Sequence, residues 1–83
     1  MKVRIMYFAS VREAIGHASE EMETQATNLA ALRAELVARG GAYAESLANG
    51  RALRMAQNQV MADEASALVD GAEIAFFPPV TGG

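Results

Sequence analysis

The sequence predicts an α+β fold in which a mixed sheet packs on one main helix. Three observations lead to this prediction: apolar and polar residues alternate at the start of the chain, alternate again near its end, and follow a helical period in between. A chain of 83 residues is long enough for one domain with a single hydrophobic core. We therefore predict a single domain over residues 1–83, in which residues 78–83 form an extended tail.

The first predicted strand covers residues 2–9, where successive side chains would point to opposite faces. One face would carry Val3, Ile5 and Tyr7, and the other Arg4, Met6 and Phe8. A short helix is expected next, with Ser10 as its N-cap, Glu13 completing a capping box and Gly16 ending it. Residues 18–25 predict a second strand whose glutamates face solvent at the sheet edge, namely Glu20, Glu21 and Glu23.

The main amphipathic helix is predicted from apolar residues at i, i+3, i+7 and i+8, namely Leu29, Leu32, Leu36 and Val37. Either Thr27 or Asn28 would cap its start, and the Gly40-Gly41 pair would end it. A short helical turn is expected over residues 43–47, and it would end at Asn49-Gly50.

The last third of the chain is expected to return to strands. Residues 52–57 predict a third strand, which a turn at Asn58-Gln59 would end. After a loop and a tight turn at Asp70-Gly71, residues 73–77 predict the final strand. The order strand, strand, helix and then two or three strands, in so short a chain, is typical of the ubiquitin-like β-grasp roll.

The aromatic residues near the tail are expected on an open face of this sheet. If Ile74 and Phe76 lie beneath the helix, strand alternation puts Phe77 on the opposite face, where Phe8 would also lie. No second helix layer is predicted to cover that face, so we interpret the two rings as an exposed, partner-binding patch. The alternative is that the segment 40–50 folds over them.

The predicted tail, residues 78–83, carries the group that is expected to react. Pro78 and Pro79 lack backbone N–H groups, so strand pairing should stop there and the chain should project. Gly82 and Gly83 lack Cβ atoms and could therefore pass through a narrow channel in a partner enzyme. The carboxylate of Gly83 would be an anion near neutral pH, able to attack the α-phosphate of ATP and form an acyl-adenylate. The chain has no cysteine, so no thiol could serve as another site of covalent attachment.

Composition argues against several other functions. The net charge of −3 and the pI near 5.0 argue against a nucleic-acid partner, because such binding relies on clustered lysine and arginine. No apolar run approaches the roughly 20 residues that span a bilayer, and the N-terminal residues are too charged for a signal peptide. The single histidine, His17, has no second ligand at metal spacing. We expect a cytoplasmic protein with no membrane partner, metal or bound cofactor.

Two segments give the sequence a family resemblance: VRIMYFASVRE at residues 3–13 and DGAEIAFFPPVTGG at residues 70–83. With Asn58-Gln59 between them, they resemble the small sulfur-carrier subunit of molybdopterin synthase, the MoaD family. The resemblance implies a β-grasp fold whose first and last strands are parallel neighbours at the centre of the sheet.

The resemblance also implies a role for individual residues. An activating enzyme would use ATP to adenylate Gly83, and a sulfurtransferase system would convert the adenylate into a thiocarboxylate. Phe8, Phe77 and Arg12 would contact the large subunit of the synthase, in an expected heterotetramer that makes molybdopterin from cyclic pyranopterin monophosphate. The segment inserted into the large subunit would comprise Pro78, Pro79, Val80, Thr81 and Gly82.

Other functions stay open from the sequence. The chain could be a ubiquitin-like carrier or protein modifier for another pathway, such as thiamine synthesis or tRNA thiolation. It could also be an interaction module with an inert terminus, which would tolerate an added C-terminal residue. Catalysis by the isolated chain is the least favoured function, since the sequence offers no catalytic constellation of side chains.

Overall fold

The computed structural model describes residues 1–48 and 52–79. Their strands and helices, in chain order, are β1 (Lys2–Tyr7), α1 (Ala9–Ile15), β2 (Ser19–Glu23), α2 (Leu29–Val37), α3 (Gly41–Leu47), β3 (Arg54–Gln57), β4 (Val60–Ala62) and β5 (Glu73–Phe77). In this part of the chain the strands form a five-stranded mixed sheet in the order β2-β1-β5-β3-β4. The predicted α+β architecture is confirmed.

The centre of the sheet joins the two ends of the chain. β1 and β5 are parallel neighbours, with Tyr7 opposite Phe76, and the other described strand pairs are antiparallel. The predicted parallel pairing of the first and last strands is therefore confirmed. Because both strands run in the same direction, their C-terminal ends lie at the same edge of the sheet, and we call this edge the tail edge.

One face of the sheet packs on the helices and forms the hydrophobic core. The strand residues with 2% exposure or less on this face are Val3, Ile5, Tyr7, Ile74 and Phe76. They form a single buried cluster with helix residues that include Val11, Leu29, Leu32, Leu36 and Leu47. The three leucines of α2 are fully buried, as their predicted spacing on one side of the main helix requires.

Two helix ends were predicted correctly, the start of α2 and the end of α1, whereas α2 ends at Val37, before the predicted stop at Gly40-Gly41. Asn28 caps α2, since its Oδ1 accepts a hydrogen bond from the Ala31 N–H at 2.8 Å. Gly16 ends α1 with φ 95°, a left-handed conformation that favours glycine. The expected end of the third helix at Asn49-Gly50 lies outside the described residues.

The predicted capping box at the start of α1 is wrong. The helix begins after Phe8 rather than after Ser10, and no side chain caps it. Instead, the N–H groups of Val11 and Arg12 donate to the Phe8 carbonyl oxygen. The chain turns sharply at Ala9, whose φ of 52° also ends β1 two residues earlier than predicted.

A short hairpin that the sequence analysis did not assign joins β3 to β4. Asn58 and Gln59 form its two-residue turn with φ values of 51° and 69°, as in hairpin turns that favour asparagine and glycine. The Asn58 N–H donates to the Glu73 carbonyl at 2.8 Å, and the Glu73 N–H donates to Asn58 Oδ1 at 3.0 Å. The turn predicted at these two residues is thus confirmed, and Asn58 fastens it to β5.

Candidate partner-binding site

Phe8 and Phe77 lie side by side at the tail edge. Tyr7 pairs with Phe76 in the parallel ladder, and the Phe8 N–H continues this ladder by donating to the Phe76 carbonyl at 3.2 Å. Phe8 has extended backbone angles and therefore continues the alternation of β1. Both residues follow a buried aromatic neighbour, so their rings leave the sheet on the face away from the core.

The exposure of these side chains fits the predicted face. Phe8 is 42% exposed and Phe77 is partly buried, whereas Tyr7 and Phe76 are 1% and 0% exposed. The alternative in which residues 40–50 cover the rings is wrong for the described part of that segment, because Leu47 of α3 packs into the core on the opposite face. The contact of Phe8 and Phe77 with a partner stays a prediction.

The apolar surface extends across the sheet beyond the two rings. The strand registers place four further residues in one row on this open face, namely Met6, Ala75, Ala56 and Met61. Met61 is 57% exposed and Met6 and Ala75 are partly buried, whereas Ala56 between them is only 8% exposed. Together with Phe8 and Phe77, this row forms what we call the open apolar face. Met61 was not predicted as part of this face because β4 was not predicted from the sequence.

Arg12 lies on α1, the helix that begins directly after Phe8. Its side chain is exposed, and its N–H donates to the Phe8 carbonyl at 3.3 Å. Arg12 therefore lies one helical turn after Phe8 along the chain. The predicted partner contact of Arg12 stays a prediction.

The base of the tail leaves the sheet beside α1. Pro78 directly follows β5 and lines, with Val11 and Leu53, an open cavity of about 380 Å³. Pro79 is partly buried. The remaining residues of the predicted insertion segment, Val80, Thr81 and Gly82, lie outside the described residues, as does Gly83.

A polar cluster lies on the core side of the sheet, on the face opposite the open apolar face. Glu20 Oε2 accepts hydrogen bonds from the hydroxyls of Tyr7 and Tyr43 at 2.8 and 2.7 Å, and Glu20 Oε1 accepts one from Arg39 at 2.7 Å. His17 Nε2 lies 3.0 Å from Glu20 Oε2. We call these five residues the Glu20 cluster. The prediction that Glu20 simply faces solvent is wrong, since its side chain is only 20% exposed.

The electrostatics of the Glu20 cluster follow from these contacts. Burial alone would raise the pKa of Glu20, but the hydrogen bonds from Arg39, His17, Tyr43 and Tyr7 lower it to about 2. Burial, and then the hydrogen bond to Glu20, raises the pKa of Tyr7 well above its ordinary range. At physiological pH the cluster therefore contains a carboxylate anion and neutral tyrosines. Its hydrogen bonds connect Glu20 of β2 with Tyr7 of β1, with Tyr43 of α3 and with Arg39, which follows α2.

Within residues 1–48 and 52–79, no group of three or more His, Cys, Asp or Glu side chains is arranged to hold a metal ion. In the same residues, no helix is long and apolar enough to cross a membrane.

The fold and the apolar tail edge define the class of protein: a ubiquitin-like β-grasp domain, as predicted. SAMP1 from Haloferax volcanii matches this fold with a TM-score of 0.77 and 23% identity, over 100% of both chains. The sequence pattern of the ThiS family matches residues 5–83, and the chain belongs to that family.

Proteins with related sequences share more than the fold. The molybdopterin synthase sulfur carrier subunit of Escherichia coli (strain K12) is 38% identical over 81 residues, which are 98% of this chain and 99% of that protein. A solved structure of the complex between subunits 1 and 2 of the molybdopterin-converting factor from Helicobacter pylori 26695 matches with 27% identity and a TM-score of 0.70, over 100% of both chains. The resemblance predicted from the first strand and the tail is confirmed.

Proposed function

We propose that this chain is the sulfur carrier of a molybdopterin synthase and that it acts in complex with a large subunit. The observation that carries the proposal is the position of Phe8 and Phe77, which lie together on an open face directly before Pro78 and the tail. A partner that binds the open apolar face would receive the tail at the same edge. Full-length similarity to the E. coli carrier subunit and the H. pylori complex support the same function.

The proposed reaction starts at the carboxylate of Gly83, with Gly83 as the terminal residue. A carboxylate oxygen attacks the α-phosphorus of ATP, and pyrophosphate leaves as the acyl-adenylate forms. A sulfurtransferase system supplies sulfur at the oxidation level of sulfide, and this sulfide attacks the acyl carbon and expels AMP, which leaves a thiocarboxylate. ATP and the catalytic groups belong to the activating enzyme, so this chain is a covalent co-substrate with no bound cofactor of its own.

In the second stage, the tail inserts into the large subunit and delivers its sulfur to cyclic pyranopterin monophosphate. The segment that inserts comprises Pro78, Pro79, Val80, Thr81 and Gly82. Six residues from Pro78 to Gly83 can extend about 20 Å, at roughly 3.3 Å for each residue, which is enough to reach a buried active site. Phe8, Phe77 and Arg12 remain at the surface of the domain and hold the partner, in a complex of two small and two large subunits.

Intact-protein mass spectrometry tests the first stage. The chain is incubated with ATP, the activating enzyme and a sulfur donor, and we expect the mass gain of one sulfur replacing one oxygen, localised to Gly83. Deleting Gly83 or appending one residue should abolish the gain without unfolding the domain, because the acyl carbon then belongs to another residue.

The controls separate this function from its alternatives. If the wild-type chain gains no sulfur from an activating enzyme that loads another carrier, an inert interaction module becomes the better description. If sulfur is gained but is never passed on by a complex with the large subunit, the chain serves a different pathway, such as thiamine synthesis, tRNA thiolation or protein modification.

A further inference from the structure

Arg54 stands at the rim of the open apolar face. It pairs with Phe77 in the antiparallel ladder between β3 and β5, so the two side chains leave the sheet on the same face. Directly opposed residues in such a ladder have Cβ atoms about 4.5–5.5 Å apart. The Arg54 side chain is exposed, and a partner that covers the Phe77 ring would therefore also cover part of the guanidinium.

No carboxylate in residues 1–48 or 52–79 forms an ion pair with Arg54. In the β3–β4 register, Met55 pairs with Ala62. One position further on, the same register would bring Asp63 opposite Arg54. Asp63 Oδ1 already accepts hydrogen bonds from the Ala65 N–H at 2.9 Å and from the Ser66 hydroxyl at 3.3 Å. Arg54 thus brings to the aromatic patch a guanidinium that forms no ion pair within the described residues.

Some other basic side chains do form ion pairs with carboxylates. Arg39 pairs with Glu20, and Arg33 pairs with Glu64. Arg4 lies on the same face as Arg54, but its neighbours on the two flanking strands are Glu21 and Glu73. In a chain with a net charge of −3, a guanidinium that forms no ion pair with a described carboxylate therefore lies next to Phe77.

We propose that Arg54 is a specificity-determining residue of the open apolar face, and that its partner presents a carboxylate beside the pocket that receives Phe77. The proposal rests on the proposed function and takes the large subunit of the synthase as the partner. Covering a guanidinium without an opposing charge costs free energy, whereas a facing carboxylate recovers that cost and speeds association. A partner with a neutral or basic rim at this position would be rejected.

The test compares two charge reversals on the same face. Arg54→Glu and Arg4→Glu change the net charge equally, and both residues are exposed on strands. Phe77 and Glu73, their partners on β5, are four residues apart, which is about 13 Å along the strand. That distance exceeds the screening length of about 10 Å at 0.1 M salt, so Arg4→Glu controls for general charge effects.

Affinity for the purified large subunit is measured by calorimetry at about 0.1 M and at about 1 M salt. At about 0.1 M salt, we expect Arg54→Glu to raise Kd at least roughly tenfold and Arg4→Glu to raise it less than about threefold. The effect of Arg54→Glu should shrink at about 1 M salt, where the screening length falls to about 3 Å. Circular dichroism verifies that both variants are folded.

Two results would overturn the proposal: Arg54→Glu binds as tightly as the wild-type chain, or Arg4→Glu loses as much affinity as Arg54→Glu. A Phe77→Ala variant separates these results from a failure of the proposed function. If Phe77→Ala weakens binding while Arg54→Glu does not, only the role of Arg54 is refuted. If the wild-type chain does not bind the large subunit, the proposed function and the role of Arg54 both fail.

Discussion

Replacing Glu20 by glutamine should destabilise the domain strongly, although Glu20 lies on an edge strand. The glutamine keeps the shape of the side chain but has one acceptor oxygen in place of two. In the wild-type chain, the two carboxylate oxygens serve Arg39, Tyr7, Tyr43 and His17. The amide NH₂ of glutamine would face hydrogen-bond donors, and the buried Tyr7 hydroxyl would compete for the single remaining acceptor.

The magnitude follows from the pKa of Glu20. Its lowering from 4.5 to about 2 corresponds, at 1.36 kcal/mol per pH unit, to at most roughly 3 kcal/mol of stability. Because 20% of the side chain is open to solvent, which screens part of this interaction, we expect a loss of about 1–2 kcal/mol at neutral pH. For a domain of this size, the Tm should fall by roughly 5–15 °C.

The sign of the pH dependence provides a second readout. A carboxyl group whose pKa is lowered on folding contributes its full stabilisation above the unfolded pKa, near 4.5, and loses it as the pH falls toward about 2. The difference in unfolding free energy between the wild-type chain and Glu20→Gln should therefore be constant above about pH 5 and shrink between pH 5 and pH 2. Urea unfolding followed by circular dichroism at several pH values measures this difference.

Glu21→Gln is the matched control. Glu21 is the next residue on β2, but its side chain is 67% exposed and its only ion pair among the described residues is a 3.9 Å contact with Lys2. We expect Glu21→Gln to change the unfolding free energy by less than about 0.5 kcal/mol. The reasoning is refuted if Glu20→Gln matches this control at neutral pH, or if its effect does not depend on pH.

Two further predictions concern the open apolar face and the hairpin turn. Phe77→Ala should weaken binding of the large subunit by about 1–3 kcal/mol in calorimetry, whereas Val60→Ala, at a 68% exposed residue of β4, should leave the affinity unchanged. Equal losses in the two variants would contradict the assigned face. Gln59→Gly should raise the unfolding free energy by about 0.5 kcal/mol, because glycine adopts the φ of 69° without strain. A lower Tm for Gln59→Gly would show that the glutamine side chain stabilises the turn.

Local sequence patterns predicted the parts of the fold that local forces determine. The alternation in Glu73–Phe77 predicted β5 with its observed bounds and assigned Phe76 to the core and Phe77 to the open face. Asn28 was recognisable as a cap because its side chain bonds a residue only three positions away. The capping box at Ser10 is also a local pattern, but the ladder between Phe8 and Phe76 fixes the chain before Ser10 and makes the helix start earlier.

Contacts between distant residues explain what the sequence did not reveal. β4 has only three residues, too few for a period-two pattern, and its assignment depends on pairing with β3. Glu20 looked like any glutamate in an acidic strand, because the tyrosines that donate to it are 13 and 23 positions away. Arg54 could not be linked to Phe77 from the sequence either, since they become neighbours only through the β3–β5 register.

Along β1 and β5, the side chains on one face of the sheet stabilise the core, and the side chains that follow them lie on the open face proposed for binding. Tyr7 and Phe76 point into the core, where Tyr7 also donates to Glu20, whereas Phe8 and Phe77 follow them directly on the open face. The central position of β1 and β5 matters here, because each is paired on both sides and cannot shift without breaking two ladders. The aromatic patch and the base of the tail are therefore held in fixed relative positions. A partner that recognised Phe8 and Phe77 would thus meet the start of the tail, Pro78, at a defined place.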